Sequence, residues 1–579
     1  MRRERAELWA NILHNIYSGE VALKTGNGTE FEPQHELIDP FNDLNFESPT
    51  FHACTDAHGK YETLRFTLRL SPINHSYMEK IETGAYSGPP PPEALQAYST
   101  YLHETVHWWQ HVGSTSGMLL SLSYLGQCHA NIEDLKEVIA KIGPKKSLKR
   151  YADNVLLTEG QAAQQKLAAA NNAVNNALDI EYYKLYALDP RKNAKKLVEQ
   201  KHFEAVGYQY FIAYGQLIGM ISAALDPDFK QIPNMTSWDT EILRLISEKA
   251  EGFYHGSNIR LPATGMRAIY EGQARFTQLQ FLDAMLSPRF TVAEWRSKGF
   301  MADVYGEAFD CFLRLLGIDE PTHLDDPAVA LFLLVCDLSI NPTRGFPFDV
   351  ETFEDFIVDV DVGVRFTNLC FAAKKLPHLH SAIVDYSKEE YASVADELTQ
   401  AVGYDHPLAA LKEINKFATV LEEGRKMIED QRTFAYPAEN LTVRFLVSHF
   451  LAFSQDRYLH PEFFCWPGIW KSRAGLGDRA TTLWLKHLAP FGDRGDKEGV
   501  YPRKWPNRDD SIIMKTFHDF FGTMAIYDLT RQWILYDGPF VKDFRWLMEN
   551  YDQEQVDKWA NDSFSKVYGV NLSDFELVV

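Results

Sequence analysis

The segment HETVH (103–107) places a glutamate between two histidines that are four positions apart. On an α-helix, residues i and i+4 lie one turn apart on the same face, so both imidazoles can bind one metal ion. The glutamate projects beside them, where its carboxylate can take a proton from a metal-bound water. The spacing therefore predicts two zinc ligands, His103 and His107, and a general base, Glu104. The alternative interpretation is an ordinary polar face of a helix.

A catalytic zinc site needs a third protein ligand besides the two histidines. His111 continues the four-residue series, but it lies about 12 Å along the helix axis from His103, so we expect it beside the site or at the surface. The metzincin pattern is not met, because Gln110 and Gly113 occupy its glycine and third histidine positions. The third ligand should therefore be a carboxylate from another segment.

Two segments offer that carboxylate in the same tetrapeptide, EGQA, at 159–162 and 271–274. Each places a glutamate on a predicted helix whose small Gly and Ala allow a close approach to the HETVH helix. Glu159 is nearer to HETVH in the sequence. Glu271 lies in the more amphipathic helix, and Arg275 one turn later can form an i,i+4 ion pair with the Glu271 carboxylate. Residue chemistry alone does not decide which of the two glutamates is the third ligand.

The segment HETVHWWQHVGSTSG (103–117), followed by GMRAIYEGQA (265–274), resembles a group of bacterial zincin-like proteins. The residues that carry the resemblance are His103, Glu104, His107, Gln110, Thr115, Gly117, Gly265, Ile269, Glu271, Gly272 and Ala274. The resemblance implies a gluzincin-type metallopeptidase site and favours Glu271 over Glu159 as the third ligand. It implies little about the substrate, and the second EGQA is a departure from the pattern.

Five further residues near these motifs have predicted roles. Gln110 lies on the histidine stripe and can orient the ligand glutamate or a substrate amide, or cap the helix end. Asp337 interrupts an apolar run and is either a partner for a ligand histidine or an Asp near a helix end. Tyr270 is a candidate for stabilising an oxyanion. Trp108 and Trp109 are expected in the core.

A strand and a helix are expected to position the motif. YETLRFTLRL (61–70) alternates in polarity, which predicts one half-buried β-strand. The run GPPPP (88–92) interrupts regular structure, and a helix should begin at Glu93 and end at Gly113. Further helices are predicted at 135–142, 159–180, 205–225, 267–286, 383–430 and 441–458, and irregular structure at 460–470 and 491–511.

The chain has 579 residues, which is too long for one ordinary hydrophobic core. The predicted fold is mainly α, with a zincin-like helical core, a small N-terminal β-sheet and a large helical C-terminal region. We expect an N-terminal α/β part at 1–115, a helical part that completes the metal site at 116–290, and a helical C-terminal domain at 291–579.

Charge and cysteine content exclude several classes of protein. The net charge of −21 argues against nucleic acid or an anionic membrane as the main partner. The spacing of the six cysteines indicates neither a disulfide framework nor a Cys-type zinc site, and Cys336 is expected to be a core thiol. The N-terminus has no apolar stretch of signal-peptide length, and the run at 328–336 is too short to span a bilayer. We therefore expect a soluble, cytoplasmic protein.

Together these features predict a zinc-dependent metallopeptidase that holds Zn²⁺ and acts on a polypeptide substrate. One alternative is a non-peptidase metal enzyme similar to a non-haem oxygenase, in which both EGQA glutamates would reach the metal. The other is a binding or scaffold protein with a vestigial site.

Overall fold

The structure is a computed structural model that describes residues 58–578 apart from 64, 87, 287, 473–476, 498, 506–507, 543, 545–546 and 548–551. The first 57 residues of the predicted N-terminal part lie outside the described residues. The mainly α-helical fold is confirmed, with a small sheet near the N-terminus and many helices towards the C-terminus.

Helices account for most of the described chain. They span Pro72–Glu82, Pro92–Gly113, Thr115–His129, Ile132–Lys141, Leu148–Glu159, Ala168–Leu188, Pro190–Val198, Val206–Leu225, Asp239–Ser247, Met266–Met285, Val292–Ser297, Val304–Leu316, Pro327–Ser339, Phe356–Val360, Val362–Lys375, Lys388–Val402, Pro407–Val420, Glu422–Thr433, Leu441–Leu459, Pro461–Cys465, Pro467–Ser472, Gly477–Lys486, Asp510–Leu535 and Gln553–Tyr568. We call Pro92–Gly113 the motif helix and Met266–Met285 the glutamate helix. The helix predicted to begin at Glu93 begins one residue earlier, at a proline that suits a first turn.

The strands form two small sheets. β1 (Gly59–Glu62), β2 (Thr67–Leu70), β4 (Phe491–Gly492) and β5 (Tyr501–Pro502) form one sheet in the order β1-β2-β4-β5. β2 is antiparallel to β1 and parallel to β4, and β5 is antiparallel to β4. β3 (Lys145–Lys146) pairs in parallel with β6 (Glu576–Leu577). Two of the strands in the first sheet come from 491–511, where the sequence indicated only a loop.

The single strand predicted at 61–70 is wrong, because this stretch is a hairpin. The Glu62 carbonyl accepts hydrogen bonds from the backbone N–H groups of Arg65 and Phe66, at 3.0 and 2.8 Å, and closes a turn. Phe66 has a φ of 56°, which reverses the chain into β2. The predicted polar face is also absent, since Arg69 is only 1% exposed and its Nε donates to Glu62 at 2.8 Å. All four residues of β2 are buried, and both of its edges are paired, one with β1 and the other with β4.

Two other predicted segments differ from the structure. The region 460–470 forms short helices at Pro461–Cys465 and Pro467–Ser472, each of which begins at a proline. The helix predicted at 159–180 does not begin at Glu159, which instead ends the preceding helix. Gly160 then adopts a φ of 60°, which favours glycine, and a 3₁₀ turn leads to the next helix at Ala168.

The motif helix lies at the centre of the packing. It packs most extensively against the glutamate helix and also contacts the helices Pro72–Glu82, Thr115–His129 and Leu441–Leu459 as well as β1. Trp108 is fully buried and Trp109 nearly so, as predicted. Cys336 is a buried free thiol, as expected. One buried hydrophobic cluster draws on all three predicted regions, whose boundaries at 115 and 290 stay predictions.

The longest apolar run, which the sequence analysis predicted to be too short to span a bilayer, lies in the helix Pro327–Ser339. Its apolar side chains are buried inside the protein. Within the described part of the chain, no helix has both the length and the apolar character needed to cross a bilayer.

Candidate metal centre

The motif helix and the glutamate helix run antiparallel past each other. Near one end of the contact, the Gln110 amide donates to the Tyr270 carbonyl at 2.9 Å. Near the other end, the Gln278 amide donates to the Ser99 hydroxyl at 3.0 Å. Glu271 is therefore placed opposite the middle of the motif helix, where the two histidines lie.

Three ligand atoms converge between these helices. His103 Nε2 and His107 Nε2 are 3.0 Å apart, and Glu271 Oε2 is 3.3 Å from each of them. Ligand atoms that lie about 2.0–2.2 Å from a tetrahedral ion are separated by about 3.3–3.6 Å. The observed triangle is close to that spacing, so the donor set fits a zinc ion. The Glu271 side chain is 24% exposed, which leaves the cluster accessible from solvent.

Gln110 orients one of the histidines, rather than the glutamate or the helix end. Its Nε2 donates to the Tyr270 carbonyl and to Gln273 Oε1, both at 2.9 Å, which fixes the direction of the amide. Its Oε1 therefore accepts from His107 Nδ1 at 2.7 Å. With its proton held on Nδ1, the imidazole of His107 turns the lone pair of Nε2 towards the cluster.

Glu104 lies beside the cluster, on the side where the motif helix meets β1. Its carboxylate accepts a hydrogen bond from the Tyr61 backbone N–H. A Cβ added to Gly59 would lie 2.8 Å from Glu104 Oε1 and 2.7 Å from Thr100 Cγ2, so only glycine allows this close approach. The strand β1 therefore fixes where the Glu104 carboxylate lies.

The ionisable groups of the cluster shift one another's pKa values strongly. Burial lowers the pKa of His103 to about 3. Burial also acts to lower the pKa of His107, but the charge and hydrogen bond of Glu271 outweigh it and raise this pKa to about 9. The pKa of Glu271 is held well below its usual range, because the two histidines outweigh the effect of burial. A positive charge on His107 thus compensates the negative charge of Glu271.

Burial raises the pKa of Glu104 to about 7, while His107 opposes the shift. A carboxylate with this proton affinity suits general-base chemistry near neutral pH. Glu104 is only 6% exposed, so bulk water does not screen it strongly.

The other EGQA segment lies apart from this centre. Glu159 is exposed at the end of its helix and pairs with Lys166 at 3.1 Å. Among the described residues, only His103, His107 and Glu271 form a cluster with metal-ligand spacing. Gly272 does not serve the approach to the motif helix, because a Cβ there would face Ala308 at 3.2 Å.

His111 and Tyr270 pack against each other beside the cluster and do not point into it. His111 is buried, not at the surface, and its ring stacks on Tyr61 with centroids 5.4 Å apart. Tyr270 meets the edge of the His111 ring at 5.1 Å. Its hydroxyl lies 3.5 Å from Ser114 Oγ and from the Gln110 carbonyl, so it points along the motif helix and not towards Glu271. The geometry gives no support to an oxyanion role for Tyr270.

Asp337 anchors the end of the motif helix through an arginine and contacts neither histidine. Its Oδ1 accepts from Arg457 Nη2 at 2.8 Å, and its Oδ2 accepts from the Tyr391 hydroxyl at 2.9 Å. The same guanidinium donates to the Gly113 carbonyl at 3.2 Å. The prediction of Asp337 as a partner for a ligand histidine is wrong, while the alternative of an Asp near a helix end is confirmed, because Asp337 lies in the last turn of Pro327–Ser339.

One neighbour of the cluster carried no signal in the sequence. The ring of Tyr305 meets that of His103 with centroids 5.9 Å apart. The guanidinium of Arg275 stacks on Tyr305, with Cζ 3.9 Å from the ring centroid. Tyr305 belongs to the helix Val304–Leu316, and only the packing of that helix on the glutamate helix brings it to the site.

Comparison with protein-family models, with curated proteins and with solved structures finds no match to this chain. The function is therefore argued from the geometry of the centre.

Proposed function

We propose that this protein is a zinc-dependent metallopeptidase of gluzincin type. The observation that supports it most directly is the meeting of His103 Nε2 and His107 Nε2 at 3.0 Å, with Glu271 Oε2 at 3.3 Å from both. A metal ion among the three atoms would hold two ring nitrogens and a carboxylate oxygen together at this spacing. Two histidines and one carboxylate are the protein ligands of a typical catalytic zinc site.

In the proposed mechanism, His103, His107 and Glu271 hold the ion, and Gln110 keeps His107 in the required tautomer. Bound zinc supplies Lewis acidity and lowers the pKa of a coordinated water to about 7. Glu104 would accept a proton from the attacking water and pass it to the leaving amine as the peptide C–N bond breaks. Burial beside β1 holds the Glu104 carboxylate in place and raises its proton affinity.

We propose a polypeptide as the substrate. β1 forms one end of the four-stranded sheet in the described part of the chain, and it passes beside Glu104. An extended peptide could pair with the part of this edge that Glu104 does not occupy, since Glu104 accepts the Tyr61 N–H. β2, which the sequence analysis included in the same strand, is flanked by β1 and β4 and offers no free edge. We further propose a soluble cytoplasmic protein that does not act on nucleic acid.

Two other functions remain as alternatives. Two histidines and one carboxylate also hold Fe(II) in non-haem oxygenases. The exposed position of Glu159 removes the second carboxylate that the oxygenase alternative called for, and the buried Glu104 favours hydrolysis. A scaffold with a vestigial site would not require the Glu104 carboxylate to be held in place against β1, so this feature argues against the scaffold alternative. One zinc per chain supports the peptidase, iron supports the oxygenase, and no metal supports the scaffold.

The decisive experiment changes Glu104 alone. Glu104→Gln should keep one zinc per chain and lower the hydrolysis of unstructured peptides by about 10²–10⁴-fold, since it removes the proton acceptor but no ligand. Zinc is measured by elemental analysis and hydrolysis by mass spectrometry of the peptide products. Glu93→Gln, in the first turn of the same helix, is the matched control and should change neither quantity. Undiminished hydrolysis in Glu104→Gln would show that Glu104 is not the base.

A further inference from the structure

Arg275 is a buried cation beside the metal centre, and it forms no ion pair with any described residue. The residue is 6% exposed. Its Nη1 donates to Gln278 Oε1 at 2.6 Å, while its buried Nε has no acceptor in the part of the chain that the structure describes. Buried charges are normally paired, because an uncompensated ion loses the solvation it has in water. The pairing that the sequence predicted with Glu271 does not occur, since no ion pair of 4.0 Å or less joins them.

Arg275 lies close to the metal centre. It follows Glu271 by one turn of the glutamate helix, and its guanidinium stacks on Tyr305 at 3.9 Å. The ring of Tyr305 in turn meets that of His103 at 5.9 Å. The charge of Arg275 also acts on the pKa values of His103 and Glu104. Stacking holds the planar guanidinium in one orientation, which suits bidentate recognition of a carboxylate.

The charge balance of the centre indicates that Arg275 needs an anionic partner. When Glu104 and Glu271 are both ionised, a divalent ion on neutral histidines would neutralise their two negative charges. The positive charge of Arg275 then remains without a counterpart among the described residues. An anionic group on the bound substrate would supply it.

We propose that Arg275, held by Tyr305 and Gln278, binds a carboxylate of the substrate next to the scissile peptide bond. The inference rests on the proposed peptidase function. It narrows the substrate class to peptides with a negative group beside the cleaved bond. Either a free C-terminal carboxylate or an Asp or Glu side chain provides this chemistry.

The first test measures binding without turnover. Malonate, succinate and glutarate carry two carboxylates, one for the metal and one for Arg275, and their monoamides keep only one. In the zinc-loaded protein, the dicarboxylate of matching length should bind at least about tenfold more tightly than its monoamide, as measured by titration calorimetry. Arg275→Gln should abolish this preference and leave the affinity for the monoamide unchanged.

Two variants serve as controls for the test. Arg275→Lys keeps the charge but loses the planar fork, so it should retain only part of the preference. Arg267→Gln removes an exposed arginine from the same helix and should retain all of it. A preference that survives in Arg275→Gln, or equal weakening of dicarboxylate and monoamide, would overturn the inference.

Zinc content is measured on every sample before titration, so that the two proposals fail in different ways. A wild-type protein without zinc would end the proposed function and this inference together. A zinc-loaded wild type that shows no preference for any dicarboxylate would end this inference alone.

Peptide hydrolysis then distinguishes the two sources of the carboxylate. If the C-terminus supplies it, amidating the C-terminus of a cleaved peptide should raise KM at least about tenfold. If an Asp or Glu side chain next to the cleaved bond supplies the carboxylate, replacing that residue with Asn or Gln should raise KM instead. In Arg275→Gln, neither amidation of the C-terminus nor replacement of the acidic side chain should change KM. A wild-type KM that responds to neither change would contradict the proposal.

Discussion

At the scale of single residues, the centre depends on the direction of a few lone pairs. The 3.0 Å contact between His103 Nε2 and His107 Nε2 lets one proton or one metal ion lie between the two nitrogens. The amide of Gln110 makes this arrangement possible for His107 by accepting its Nδ1 proton at 2.7 Å. His103 Nδ1 is buried without a hydrogen-bond partner in the described residues, so packing against Tyr305 orients this ring.

Removing either histidine should therefore abolish tight zinc binding. His103→Ala and His107→Ala each leave two protein ligands, too few for a catalytic zinc site. Elemental analysis after dialysis should find one zinc per chain in the wild type and less than a tenth of that, about background, in each variant. His378→Ala, which removes an exposed histidine, should keep the full equivalent. A full equivalent in the double variant His103→Ala/His107→Ala would rule out the proposed zinc site.

At the scale of secondary-structure elements, helix ends and helix pairing decide which glutamate reaches the histidines. Glu271 lies well inside the glutamate helix, which crosses the motif helix in an antiparallel direction. Glu159 ends its own helix, because Gly160 with a φ of 60° stops the helical path there. The same four letters, EGQA, thus lie inside a buried helix in one case and at an exposed helix end in the other.

These two glutamates form a matched pair for a test of the third ligand. Glu271→Ala removes a carboxylate 3.3 Å from both histidines and should weaken zinc affinity by at least about 100-fold. Glu159→Ala removes only an exposed ion pair with Lys166 and should leave zinc affinity at the wild-type value. Competition with a chelator measures both affinities. Equal loss of affinity in the two variants would contradict the assignment of Glu271.

At the scale of the whole molecule, a buried polar network joins the C-terminal helices to the motif helix. Arg457, on the helix Leu441–Leu459, binds Asp337, Asn341 and the carbonyl of Gly113. Asp337 also accepts a hydrogen bond from Tyr391. The Gly113 carbonyl is at the end of the motif helix, where it lacks a partner within the helix. Residues distant in the sequence thus fix the end of the helix that carries HETVH.

Breaking this network should destabilise the protein strongly. Arg457→Met leaves the Asp337 carboxylate, 6% exposed, without its cation and should lower the free energy of unfolding by about 3–5 kcal/mol in urea titration. In the double variant Asp337→Asn/Arg457→Met, part of this loss should be recovered, because no buried charge remains unpaired. Arg260→Met breaks an exposed pair with Glu251 and should change stability little. Equal effects of Arg457→Met and Arg260→Met would argue against the network.

The local pattern of the sequence was sufficient for several features. The spacing of His103 and His107 puts both side chains on one face of any helix, and the prolines before Glu93 and the glycine at 113 bracket that helix. The amphipathic stretch at 267–286 forms a helix within one residue of its predicted limits. These features depend on neighbours a few residues apart, so the sequence alone was enough to predict them.

Other features depend on residues brought together only by the tertiary fold. β4, more than 400 residues later, pairs with the second edge of β2, and no local alternation indicates this. Tyr305 reaches His103 and Arg457 reaches Gly113 through the packing of whole helices. The sequence by itself determined the motif, its helix and the mainly helical class. Only the tertiary structure decided which glutamate, which tyrosine and which strand surround the motif, because long-range packing fixes these contacts.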